Sequence, residues 1–165
     1  MTSFSIRAAV LPPTDSDRRF FEHAMTGLQE FERPIEPNRR PGVTMARDHV
    51  SALIDWASQG GGALIAETAG DPVGFLIFGI DEEFGQFVLP ENQRFGRISD
   101  LWVDETARGR GIARALIAEA ERRLTTMGIA RVEIGAVFAN RRAIALYEAI
   151  GYQPSSLILA KSLRP

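Results

Sequence analysis

The run Ile98-Ser99-Asp100-Leu101-Trp102-Val103 reads as a hydrophobic strand. It ends in Asp104-Glu105-Thr106-Ala107-Arg108-Gly109-Arg110-Gly111, after which the spacing Ile112, Leu116, Ile117, Ala120, Leu124 has helical period. A strand therefore passes through a glycine-spaced turn straight into a helix whose buried face anchors that turn. The first turn of a helix carries N–H groups without intrahelical partners, and the helix dipole puts partial positive charge at the same end. Gly109 and Gly111 can adopt backbone angles closed to other residues and leave room for a phosphate to approach the main chain. Arg108, Arg110 and Arg114 add positive charge to the same place.

Three kinds of glycine loop can be told apart. A P-loop needs Lys and then Ser or Thr after its last glycine, and Ile112 and Ala113 stand there instead. The dinucleotide fingerprint is met at Gly109 and Gly111 but broken at Arg114. What remains is an Arg-x-x-Gly-x-Ala pattern filled by Arg108, Gly111 and Ala113. A second motif lies downstream. Arg131 to Ala139 is a strand-like run with Val132, Ile134 and Ala136 alternating, and Asn140 to Tyr152 follows it. Asn140 is a good N-cap and Gly151 a good C-cap for the helix between them. Helical spacing puts Ile144, Tyr147 and the backbone near Asn140 on one stripe.

The two motifs in this order resemble the cofactor site of the GNAT superfamily of N-acetyltransferases: the Arg108 loop its coenzyme A pyrophosphate loop, and Asn140 with Ala143-Ile144-Ala145-Leu146-Tyr147 and Gly151-Tyr152 its second half. The resemblance implies an α/β (α+β) fold with a central mixed, mostly antiparallel twisted sheet of about six to seven strands flanked by about four helices. It implies acetyl-CoA as co-substrate, with the pyrophosphate on Arg108, Gly109, Arg110, Gly111, Ile112 and Ala113, and the pantetheine arm on Asn140. Tyr147 becomes the general acid that protonates the departing thiolate, a role suited to a phenol of pKa about 10, protonated at neutral pH. A main-chain N–H of Trp102 or Val103 becomes the donor to the acetyl carbonyl. Asp100 is the candidate general base. Ser99 stands where relatives often carry an acid, and Gly135 offers no side chain at another position some use. Strand alternation sends Ser99 and Asp100 to opposite faces, so one of them at most is expected to face the substrate.

At 165 residues the chain is expected to form one acetyltransferase domain spanning residues 1–165. The formal net charge of -2 gives no support to a nucleic-acid partner. Cysteine is absent, which removes disulfides, thiol nucleophiles and Cys-based metal sites; His23 and His49 lack ligand spacing, so no metal is expected. No apolar run approaches the ~20 residues that cross a bilayer, and the N-terminus lacks a signal pattern. These readings point to a cytoplasmic protein with no membrane partner; dimers are common in the family, which makes a homodimer one expectation.

Upstream, strands are expected at Ser5 to Val10, Ala63 to Thr68 and Val73 to Ile80, the last two joined as a hairpin. Helices are expected from Thr14 or Asp15 through Leu28 and from Met45 to Ser58, and a last strand near Ser156 to Lys161. By the resemblance, Thr14 to Val43 and Asp81 to Gly96 shape the acceptor pocket. The acids Asp81, Glu82, Glu83, Glu91, Asp100, Asp104 and Glu105 form a rim that favours a cationic amine, small molecule or peptide. The expected reaction is direct acetyl transfer from acetyl-CoA to a primary amine. A non-catalytic CoA-binding regulatory module and a basic-loop interaction domain are the competing readings.

Overall fold

The structure, a computed structural model, describes residues 3–85 and 88–163. Strands β1 (Phe4–Ala8), β2 (Gly62–Thr68), β3 (Asp71–Glu82), β4 (Arg94–Val103) and β5 (Val132–Ile134) make a sheet in chain order. Successive pairs are antiparallel except β4 and β5, which run parallel. Helices α1 (Asp15–Glu32) and α2 (Ala46–Ala57) cover one face, and α3 (Ile112–Thr126) and α4 (Arg141–Ala149) lie on the other.

Local chemistry explains most of this. Thr14 caps α1 by accepting from the Asp17 N–H, and its apolar stripe Phe21, Ala24, Met25 meets Phe75 and Ile77 of β3. The β2–β3 hairpin turns on Ala69 and Gly70, both at positive φ, as a two-residue turn that follows strand twist requires. The inner strands β2 and β3 alternate between two cores: Ala63, Ile65, Phe75 and Ile77 face α1 and α2, while Leu64, Ala66, Leu76 and Phe78 face α3.

Two features position the site. On β4, Ile98 pairs with Phe78 and Asp100 with Ile77, so Ser99 is an extra residue and the strand bulges there. On the other edge, β4 pairs with β5 only from Gly96 to Ile98. Beyond that point the two parallel strands part, and β4 keeps a partner on its β3 side alone.

The mixed, mostly antiparallel class is as expected, with five strands in place of six to seven. The run Arg131 to Phe138 contributes only its first third to the ladder, because the bulge bends β4 away from it. The strand expected near Ser156 to Lys161 is not formed. Residues 153–163 carry no helix or strand, and Ile158 is 90% exposed. The β-propensity of Leu157-Ile158-Leu159 does not by itself make a strand, and three residues of β5 offer little template.

Candidate active site

Where β4 and β5 part, a cleft of about 750 Å³ opens between β4, the loop before α3, the segment from β5 into α4, and the ends of α1 and α2. At one end lies the glycine loop. Asp104 accepts from the Thr106 N–H and so folds Glu105–Ala107 into a single 3-10 turn. The chain then passes Gly109 (φ 78°) to Gly111 (φ 81°), the residue that caps α3. A β-carbon at either glycine would touch no heavy atom within 4 Å, so glycine is required there by the left-handed backbone and by open approach, not by crowding. Gly111, Ile112, Ala113 and Arg114 line the cleft with the unbonded N–H end of α3.

The loop arginines divide their roles. Arg108 braces the loop: its Nε donates to the Val103 carbonyl at 3.0 Å, its Nη1 to Glu105 at 3.2 Å, and its guanidinium stacks 5.3 Å from the Phe31 ring centroid. Arg110 donates to the Thr106 carbonyl at 3.1 Å and does not line the cleft. Arg114, which does line it, is the better-placed cation for an anion at the helix start.

The middle of the cleft is the open edge of β4. The Asp104 N–H bonds the Val73 carbonyl on β3, and successive N–H groups of a strand point to opposite edges. The Val103 N–H therefore faces the cleft while the Trp102 N–H belongs to the β3 ladder. The Trp102 side chain lies against α1, near Phe20 and His23, where a β-carbon on Gly27 would come within 3.0 Å of its Nε1.

Across from β4, Asn140 caps α4, its Oδ1 accepting from the Ala143 N–H at 3.1 Å. Its amide NH2 is not used in that bond. The helix ends in a Schellman arrangement, with Gly151 at φ 105°, its N–H on the Glu148 carbonyl and that of Tyr152 on the Tyr147 carbonyl. Both caps aim Tyr147 into the cleft. Burial pushes its phenol up to about 12, and the charges of Glu32 and Asp100 add to the shift.

The other end holds charges drawn from three elements. Glu32 at the end of α1 pairs with Arg39 at 2.7 Å, and His49 of α2 stands with its Nε2 3.6 Å from Oδ1 of Asp100. Burial raises the Glu32 carboxyl, opposed by Arg39 and helped by Asp100 and Glu36. Asp100 accepts from the Ser99 hydroxyl at 2.7 Å, and both residues line the cleft. The expectation that they face opposite ways is thus corrected: the bulge at Ser99 breaks the alternation. The acidic rim is corrected too. Asp81 accepts from the Trp56 indole N–H at 2.8 Å and pairs with Arg97; Glu83 pairs with Arg131, Asp104 caps its turn, and of the seven acids only Asp100 lines the cleft. Glu32, Arg39 and His49 carried no signal in the sequence, since nothing local links them to Asp100.

The model of the Acetyltransferase (GNAT) family matches residues 25–152, which span the glycine loop, α4 and the Glu32, His49 and Asp100 cluster. The chain belongs to the GNAT family. Acetyltransferase SG1711 of Sodalis glossinidius is 34% identical over 102 residues, 61% of this chain and 64% of that protein. The chain thus aligns with less than two thirds of that relative. Among solved structures, a GCN5-related N-acetyltransferase from Ralstonia eutropha JMP134 superposes with a TM-score of 0.71 at 20% identity, covering 97% of this chain and 99% of its own. The aminoglycoside N-acetyltransferase AAC(6')-Iy in complex with CoA superposes at 0.69 and 14% identity, over 100% and 97% of the two chains. These likenesses are of fold.

For a GNAT protein the residues present suit coenzyme A. The cleft is of the size that holds cofactor-sized ligands, roughly 300–1,000 Å³. The α3 start offers N–H donors over side-chain-free glycines to the phosphates. The parted strands offer the N–H of Val103 and the amide of Asn140 along an extended arm.

Proposed function

We propose that this GNAT protein transfers the acetyl group of acetyl-CoA directly to a primary amine. The observation that carries the reading is one cleft lined by the α3 start, by Tyr147, and by Glu32 with Arg39 and Asp100 with His49. The pyrophosphate rests on the main chain from Gly109 to Ala113, with Arg108 holding the loop's shape and Arg114 supplying charge. Asn140 binds the pantetheine arm. The Val103 N–H takes the acetyl oxygen, which becomes anionic when the amine attacks, and so stabilises the developing charge more than the ground state.

Tyr147 serves the leaving thiolate. At about 12 its phenol stays protonated across the physiological range, so it always has a hydrogen to offer. A thiol of the cysteine type titrates at about 8.5, so complete transfer from the phenol is uphill unless the phenol is refilled. The amine carries a proton that it must lose as the amide forms, and this refills it. The acceptor's first proton leaves on the other side, where Asp100 and His49 meet. Glu32 and Asp100 together make that end attractive to a protonated amine, in place of the rim of surface acids.

This reading goes with a cytoplasmic location, where acetyl-CoA is available; among the described residues no helix is long and apolar enough to cross a membrane. The test is thiol release from acetyl-CoA against polyamines, amino acids, aminoglycosides and peptide N-termini. Turnover with at least one amine, lost in Tyr147→Phe, is expected. Binding of acetyl-CoA with no turnover of any amine would leave the regulatory-module reading instead.

A further inference from the structure

We infer that His49 takes the proton from the acceptor ammonium and that Asp100 is its positioning residue. The inference rests on the amine-transfer reading above and deepens it by dividing the labour at the acceptor end.

The geometry separates the two groups by exposure. The Asp100 side chain is 12% exposed; the Ser99 hydroxyl donates to its Oδ2, and His49 Nε2 stands 3.6 Å from its Oδ1. The His49 side chain is 40% exposed, at the cleft wall, so a proton it receives has a way out to water. Chemistry separates them further. An imidazole, with an ordinary pKa of about 6.5, is the side-chain base suited to work near neutral pH. The charges that act on His49 are Asp100 from β4 and Arg39 from the segment after α1; Glu32 of α1, Tyr147 of α4 and the cations Arg108, Arg114 and Arg142 line the same cleft. Their balance raises the imidazole above its ordinary value: the approach to Asp100 dominates, and burial and Arg39 oppose it. A base raised in this way is a stronger proton acceptor.

The protons balance. The acceptor ammonium has three. One passes to His49 Nδ1, the ring nitrogen turned away from Asp100, while Nε2 keeps its hydrogen toward Asp100 Oδ1; this frees the lone pair that forms the C–N bond. As the C–S bond breaks, the thiolate takes the Tyr147 proton, and a second proton from nitrogen returns to the phenolate. The third stays on the amide. His49 then releases its proton to water, which is the net proton of the reaction.

The chain has two histidines, so imidazole resonances can be followed by NMR and assigned with His49→Gln. The full-length protein is titrated as wild type and as Asp100→Asn, and kcat/KM against pH is measured for both and for His49→Gln with the best amine of the screen. The expected result is a His49 midpoint above 6.5 that coincides with the acid limb of kcat/KM and falls in Asp100→Asn. His49→Gln should lose that limb and about 100-fold in kcat/KM, with acetyl-CoA affinity and melting temperature unchanged. An acid limb that persists in His49→Gln at the same pH, or a His49 midpoint indifferent to Asp100→Asn, overturns the inference. Failure of wild-type protein to bind acetyl-CoA overturns the reading beneath it, and the binding arm reports that separately.

Discussion

Ser99 is one residue more than β3 can pair, and the chemistry of the cleft depends on it. Without the bulge, Asp100 would be displaced from its register with Ile77, and His49 would have no carboxylate to meet. A period of two is the default for such a strand, and a bulge leaves no mark in a single sequence, so the shared face of Ser99 and Asp100 is not legible in it. Tyr147, by contrast, was legible: its helix carries both caps within a dozen residues. Replacing Tyr147 with Phe removes the hydroxyl and little packing, so kcat should drop by about 100-fold while KM for acetyl-CoA stays within about threefold, as steady-state kinetics would show. Glu32→Gln removes a carboxylate at the acceptor end and leaves the positive charge of its partner Arg39. It should raise KM for cationic amines about tenfold and leave acetyl-CoA binding intact; an equal loss with neutral amines would place Glu32 outside acceptor recognition.

At the level of elements, α3 and α4 could be read from the chain because their ends are set by neighbours in sequence. Gly111 must be left-handed to start α3, and Asn140 must accept from Ala143 to start α4. Asn140→Ala should therefore cost about 1 kcal/mol of stability, measured by denaturant unfolding, and should also weaken acetyl-CoA binding by losing the amide NH2. Loss of stability with full affinity would leave Asn140 a cap alone. The shortness of β5 and the lack of a strand near Ser156 to Lys161 have no local signal, for the opposite reason. A strand exists only with a partner: for β5 that is β4, thirty-odd residues away and bent by its bulge, and three residues of β5 offer the last segment little template.

The molecule as a whole is a sheet with two cores, joined at the site by elements far apart in the chain. Arg7 of β1 ties α1 through Asp17, at 2.7 Å, and β2 through Glu67, also at 2.7 Å. The fold class followed from the order of elements, but the acceptor end did not, because Glu32, Arg39, His49 and Asp100 converge only once the sheet is assembled. Carboxylates held by arginines also set the response to acid. Arg122 and then Arg123 pull the Glu119 carboxyl down to about 2, and at Asp81 burial acts upward but the bonds from Arg97 and Trp56 outweigh it. A carboxyl lowered on folding stabilises the fold above its unfolded pKa and ceases to as it protonates. Stability from chemical denaturation should thus hold from neutral pH to about 4.5 and fall between about 4.5 and 2; a flat profile there would remove these pairs from the account. The central claim is that the parted strands and the α3 start hold acetyl-CoA. Thermal unfolding with and without saturating acetyl-CoA, in wild type and in Gly111→Val, tests it. A side chain at this left-handed, open position should block the phosphates, so a rise of several degrees in the wild type should vanish in the variant, whatever its own melting temperature. An equal rise in both proteins would contradict the assignment of the site.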